Sequence, residues 1–234
     1  IEHYVEKKGH IDYGFTPDGN FPGIYAEKGM YEAMVVGHNS KIIDISGGEA
    51  SNVVCKKVQA VLEKGSFDPT KLDAFFKAHK INYELKEEEN IKLIVYGVAA
   101  HASLPDLGVN AISHLFEALY EADFDDPFIK WFHEHFALTV HGELIGFEDI
   151  KDEVSNTSIN FGVVSKQGDD LKMSLDMRFP VKTKSEKVLD LMNFSDENNE
   201  LVVLMTVEPL YFDVNTPMIK ALKKAYEDVT GDRE

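Results

Sequence analysis

The sequence predicts an α+β fold, an antiparallel sheet with helices on one face, and three observations carry that prediction. Strand-like and helix-like stretches alternate through the middle of the chain, short polar turns join the strand-like ones, and the helical ones carry a single apolar stripe. With no short-period repeat and no low-complexity segment, solenoids and disordered linkers are excluded.

The elements follow in order. Glu2 to Lys8 is a charged, helix-like start. Residues 11–29, IDYGFTPDGNFPGIYAEKG, combine two Pro with four Gly and read as a turn-rich loop of the kind that carries sites on a scaffold. Met30 to Gly37 and Lys41 to Ser46 are β-like runs about the polar turn Gly37-His38-Asn39-Ser40, which suggests a hairpin. Asn52 to Leu62 alternates with period two from Cys55 onward and reads as a strand. Asp68-Pro69 supplies a cap and a first helical residue for a helix to about Lys80, with Leu72, Phe75 and Phe76 on one face. Tyr83 to Lys86 and Ile91 to Val98 form a strand pair about the acidic turn Glu87 to Asn90. Ile112, Leu115, Phe116 and Leu119 recur at helical spacing within Leu107 to Ala122, and a second helix runs from about Pro127 to Ala137. Thr157 to Ser165 and Asp170 to Phe179 alternate about Gln167-Gly168-Asp169, a hairpin. A helix at Ser185 to Met192, a strand at Leu201 to Val207 and a helix at Thr216 to Val229 complete the chain, with seams near residues 30 and 210.

Composition narrows the function. In 234 residues, 24 Lys and Arg stand against 41 Asp and Glu, a formal charge of −17, and 44% of residues are hydrophobic. That much apolar material builds a core that buries roughly 70–75% of the unfolded surface. So acidic a chain, without a Lys/Arg stripe, repels phosphate backbones and anionic lipid, which argues against nucleic-acid and membrane partners. Cys55, the single cysteine, has neither a disulfide partner nor thiolate-zinc spacing, and it fits a reducing cytoplasm. No run is long and apolar enough to span a bilayer. Starting at Ile1 and stopping at Gly231-Asp232-Arg233-Glu234, the chain reads as a piece of a longer protein.

Dinucleotide, Walker, zincin and serine-hydrolase signatures are absent. His133 and His135, two apart on a helix, point away from each other and read as an exposed face rather than a metal site. Glu87 to Glu89 reads as a solvated turn. Asp18 follows Pro17 in the Gly-rich loop, where a restricted backbone places its carboxylate; an Asx-turn acid is the plainer reading. His101 lies among small residues in GVAAHASLP, where it is either a structural hydrogen-bonder or a donor to developing negative charge. Arg178 ends a strand in DMRFP, on the face opposite Met177 and Phe179, where it either grips a carboxylate or pairs with a nearby acid.

Four motifs in this order, GFTPDGNFPGIYAEKG, SGGEASNVV, GVAAHASLPDLGVNA and NTSINFGVV followed by DMRFPV, resemble the PepV-like dipeptidases of the two-zinc aminoacylase and carboxypeptidase-type peptidases. The resemblance covers essentially the whole chain. It implies hydrolysis of dipeptides by a metal-held water, with two zinc ions, or manganese or cobalt in their place. It assigns Asp18 as a zinc ligand, His101 as the lid histidine that stabilises the oxyanion, Arg178 as the group that binds the substrate's free carboxylate, and Asn52 as a hydrogen-bonding partner of the substrate. Where the family often continues with Pro after the Asn52 motif, this chain has Cys55. The family's other metal ligands and its general base have no counterpart between Ile1 and Glu234, so the resemblance implies little activity for the chain alone.

The implied organisation is a lid of two ferredoxin-like halves over residues 30–209, flanked by catalytic-domain remnants at 1–29, holding the metal-ligand loop, and at 210–234. Against the dipeptidase stands a non-catalytic lid-like module that binds a carboxylate ligand or dimerises. The expected partner is a dipeptide, and the expected assembly a monomer or homodimer.

Overall fold

The structure, a computed structural model, describes residues 2–9, 23–152 and 155–233. The chain divides into two compact units, Lys28–Pro209 and a smaller one made of Ile1–Glu27 with Leu210–Glu234.

The larger unit is an eight-stranded antiparallel sheet. In chain order its strands are β2 (Gly29–Gly37), β3 (Asp44–Gly47), β4 (Lys57–Leu62), β5 (Asn82–Glu87), β6 (Ile91–Tyr96), β7 (Ser158–Gln167), β8 (Asp170–Phe179) and β9 (Asn199–Val207), and their spatial order is β5-β6-β4-β3-β7-β8-β2-β9. Helices α2 (Pro69–His79), α3 (Ala111–Glu121), α4 (Pro127–His135) and α5 (Ser185–Leu191) lie between them in sequence.

This order resolves into two four-stranded halves. In one, β2-α4-β7-β8-α5-β9 is a ferredoxin-like unit whose strands stand in the order β7-β8-β2-β9. The other is inserted between β2 and α4 and repeats the plan with its outer strand moved to the front, β3-β4-α2-β5-β6-α3, in the order β5-β6-β4-β3. The α+β class and the two halves are as the sequence leads one to expect.

One pairing differs from expectation. The runs 30–37 and 41–46 do not form a hairpin: β2 pairs with β8 and β9, and β3 with β4 and β7. The polar turn exists, with Asn39 at φ 57°, but Ser40 Oγ and the Lys41 N–H donate to Asp126 Oδ2 at 2.9 and 2.5 Å, so the turn leads across to α4. Asp126 is fully buried and uses its other oxygen to cap α4, accepting from the N–H groups of Phe128 and Ile129. The strand expected from Asn52 begins only at Lys57, and the helix expected from Leu107 begins at Ala111, where Asn110 caps it.

The core lies between one face of the sheet and the helices. Tyr31, Ala33 and Val35 of β2 and Leu171, Met173, Leu175, Met177 and Phe179 of β8 are buried, while alternate residues face the other way. Phe116, Phe128, Phe132, Phe136 and Phe161 meet edge-on or tilted with ring centroids 4.9–5.8 Å apart. Each such ring contributes about 1.5–3 kcal/mol by burial. His133 and His135 are half-buried rather than an exposed face: His133 bonds Glu117 at 2.9 Å and stacks on Tyr120, and His135 bonds the Trp131 carbonyl and stacks on Phe194. Glu87 to Glu89 are exposed, as expected of a solvated turn.

The smaller unit contains α1 (Glu2–Lys8), the two-stranded pair β1 (Ala26–Glu27) with β10 (Leu210–Tyr211), and α6 (Pro217–Thr230). Pro217 opens α6, and Gly231 at φ 76° closes it.

Candidate functional site

The face of the sheet turned away from the helical core carries a row of polar residues on β7 and β8. Register sets Ser158 opposite Arg178 and Asn160 opposite Asp176, with Met30 and Glu32 alongside them on β2. Residues in such rows share a face, so Arg178, Asp176, Ser158 and Asn160 form one patch.

Arg178 is held by its own strand. Its Nε and Nη2 donate to the two oxygens of Asp176, each at 2.7 Å, and Asp176 has no exposed surface. Of the two alternatives left open by the sequence, pairing with a nearby acid is present. The ion pair exists, and it uses one edge of the guanidinium while fixing its plane, so the end-on nitrogens keep donors for a further acceptor.

Asn160 joins this patch to the segment that bears Asn52. Its Nδ2 donates to the carbonyls of Ser51 and Val53 at 2.9 and 3.2 Å, while its Oδ1 accepts from Asn110 Nδ2 at 3.2 Å. Glycine permits the close approach. A Cβ on Gly162 would overlap the carbonyl oxygens of Ala50 and Ser51, and Gly48, at φ 83°, lies against Gly162 in the same way. The β7–β8 register shifts between Phe161 and Val164, and Ser174 Oγ takes up the Val163 N–H at 2.9 Å.

Asn52 and His101 come together. Val53 and His101 form an antiparallel bridge, and the Ala102 N–H donates to the Asn52 carbonyl at 3.0 Å. Asn52 is exposed, and its side chain makes no hydrogen bond among the described residues. The His101 ring is oriented by its own turn: Nδ1 accepts the Ser103 N–H at 3.1 Å and lies 2.8 Å from Ser103 Oγ. A backbone N–H can only donate, so Nδ1 is the acceptor and the neutral ring carries its proton on Nε2. An exposed Nε2–H is thereby presented as a donor from the loop 98–110.

Asp18 lies outside the described residues. Among the described residues, no three His, Cys, Asp or Glu side chains come together as a metal site. No helix among the described residues is long and apolar enough to cross a membrane.

Sequence reasoning missed Asp176 and Asn160, although both stand inside quoted motifs. The signal was period-two alternation: 158 and 160 on one strand, like 176 and 178 on the next, must share faces.

Comparison with known proteins agrees with the motifs. Residues 83–193 match the peptidase dimerisation domain. The Bacillus subtilis protein named "Putative dipeptidase YtjP" is 28% identical over 250 residues, covering 100% of this chain and 53% of its own length. Proteins similarly named from Staphylococcus haemolyticus and Staphylococcus epidermidis are 25% and 27% identical, over 99% and 94% of this chain and 53% and 51% of theirs. The chain thus spans about half the length of the curated relatives it matches. Among solved structures, the aminoacylhistidine dipeptidase from Vibrio alginolyticus aligns with 89% of this chain and 50% of its own at 12% identity and a TM-score of 0.39, too loose a likeness to carry an argument. Four motifs in order, with similarity along the whole chain to proteins named as putative dipeptidases and a match to a peptidase dimerisation domain inside the larger unit, make the chain similar to dipeptidase sequences.

Proposed function

We propose that this chain is the lid-bearing part of a metal-dependent dipeptidase, with the lid over residues 30–209 and catalytic-domain segments at 1–29 and 210–234. Arg178 binds the free carboxylate of the dipeptide, Asn52 hydrogen-bonds its backbone, and the His101 Nε2–H stabilises the oxyanion that forms on the scissile carbonyl. The observation that supports this most is Asn160. Through it, the segment bearing Asn52 and bridged to His101 is hydrogen-bonded to the strand that lies opposite Asp176 and Arg178.

Zinc, when bound, would supply the activated water, with Asp18 among its ligands. This chain's own described residues bind and orient the substrate and offer a fixed donor to developing charge. The buried Cys55, whose thiol burial pushes above its usual range, suits a reducing compartment such as the cytoplasm.

The test is amino-acid release from a dipeptide panel with added Zn²⁺ or Mn²⁺, comparing this chain with one extended to the full length of its relatives. Activity is expected in the extended protein. There Arg178→Ala raises KM at least about tenfold, and His101→Ala lowers kcat about a hundredfold. Wild-type kinetics in both variants would sink the assignment.

A second reading, homodimerisation through the lid, is favoured by the edge strand β9. Val202, Val203, Leu204, Met205 and Val207 are all exposed there, whereas the opposite edge, β5, presents Glu84, Lys86 and Glu87.

A further inference from the structure

Strand register brings a second cation to Arg178. Gly29 lies opposite Phe179 and Met30 opposite Arg178. Lys28, one residue earlier, continues the row of alternate residues that faces the Arg178 side of the sheet. It is half-buried and, among the described residues, makes no hydrogen bond or ion pair. Burial first, and the Arg178 charge second, hold its ammonium below the ordinary lysine range, while Asp106 and Asp152 pull the other way.

Those two acids are engaged elsewhere. Asp106 Oδ2 lies 3.3 Å from His141 Nε2, and Asp152 accepts the N–H groups of Ser155 and Lys182 at 2.9 and 3.1 Å. Asp176 is taken up by Arg178 on both oxygens. Opposite Arg178, the Ser158 hydroxyl is enclosed without a hydrogen-bond partner among the described residues. Asp176 and Glu32 favour the Arg178 charge, whereas the Arg178 charge disfavours that of Lys28, which has no ion-pair partner among the described residues, so an anion that joins both cations would relieve Lys28.

We infer that Lys28 is a second cation for the substrate carboxylate, one oxygen going to the end-on nitrogens of Arg178 and the other to the Lys28 ammonium. This rests on the reading of Arg178 given above and deepens it. With both cations in place the site discriminates against a neutral C-terminus more sharply than a lone guanidinium does, because a blocked terminus leaves two partly desolvated charges unpaired.

The test uses this chain and NMR titration with alanyl-alanine and with its C-terminal amide. The wild type is expected to bind the free dipeptide about tenfold more tightly than the amide. Lys28→Met should cut that preference about threefold or more without weakening amide binding, and Lys28→Arg should keep most of it. In the wild type, the Lys28 side-chain resonances should titrate at higher pH with the dipeptide present, and unchanged with the amide. A preference lost in Arg178→Met but intact in Lys28→Met, or a Lys28 titration indifferent to the dipeptide, overturns the role of Lys28 and leaves that of Arg178 standing. A preference intact in both variants overturns Arg178 as well, and no preference in the wild type overturns both.

Discussion

Single residues decide the site's chemistry through their neighbours. His101 is a donor at Nε2 because the Ser103 N–H occupies Nδ1, and Arg178 has a fixed plane because Asp176 grips it along one edge. Glu117 shows the same dependence away from the site. Only 5% exposed, it gives one oxygen to His133 at 2.9 Å while its Oε1 has no partner among the described residues. Burial raises its pKa above the ordinary glutamate value, and the His133 contact only partly opposes this. A raised folded-state pKa means that the native state holds the proton more tightly than the unfolded chain. Glu117 therefore contributes stability at acid pH that is lost as pH rises through its folded value. Glu117→Gln removes that loss, so its Tm relative to wild type should climb as pH rises above about 4. Thermal unfolding of both proteins across that range checks it, and a flat or falling difference would refute the burial argument.

Elements are held in place by backbone contacts that side chains would obstruct. The loop 98–110, which presents His101, leaves β6 through Gly97, whose N–H bonds the Lys56 carbonyl, and returns by the paired bonds between Val98 and Val109. A Cβ at Gly97 would overlap the Val109 carbonyl oxygen and stand 3.0 Å from both the Ala111 nitrogen and the Cys55 oxygen. All three are backbone atoms, so nothing can rotate aside. Gly97→Ala should destabilise the chain by about 1–3 kcal/mol and loosen the loop. Denaturant titration measures the first effect, and faster amide exchange at Val98 and Val109 the second. Wild-type stability and exchange would mean that the loop can re-route. Most elements were legible because their signals are local: Asp68-Pro69 for α2, helical spacing at Ile112, Leu115, Phe116 and Leu119 for α3, and Gly168-Asp169 between β7 and β8. The 30–46 hairpin failed for the complementary reason. A polar turn permits a hairpin without requiring one, and here an entire ferredoxin-like half enters the chain between β2 and its partner β8.

At the scale of the whole molecule, the two edges of the sheet differ in character. Charged residues protect β5, whereas β9 leaves a row of exposed aliphatic side chains and unpaired backbone groups. A second copy docked edge to edge on β9 would form a closed, twofold contact. Sedimentation velocity should show a concentration-dependent dimer that Leu204→Lys and Val202→Lys shift to monomer; a wild type that stays monomeric at every concentration would sink the edge-to-edge contact. The net charge of −17 sets a repulsive background, so raising the salt should strengthen the dimer.

The sequence by itself determined which stretches are helix and which are strand, the α+β class, and the candidates Asn52, His101 and Arg178, because periodicity, capping chemistry and motif order are properties of neighbours along the chain. Only the tertiary structure decided which strands pair, that Asn160 ties the Asn52 segment to the sheet, that Asp176 orients Arg178, and that Lys28 stands beside it. These depend on register between segments more than a hundred residues apart, such as Met30 opposite Arg178. Register is fixed by burying one face of every strand at once, a requirement that no local stretch of sequence expresses.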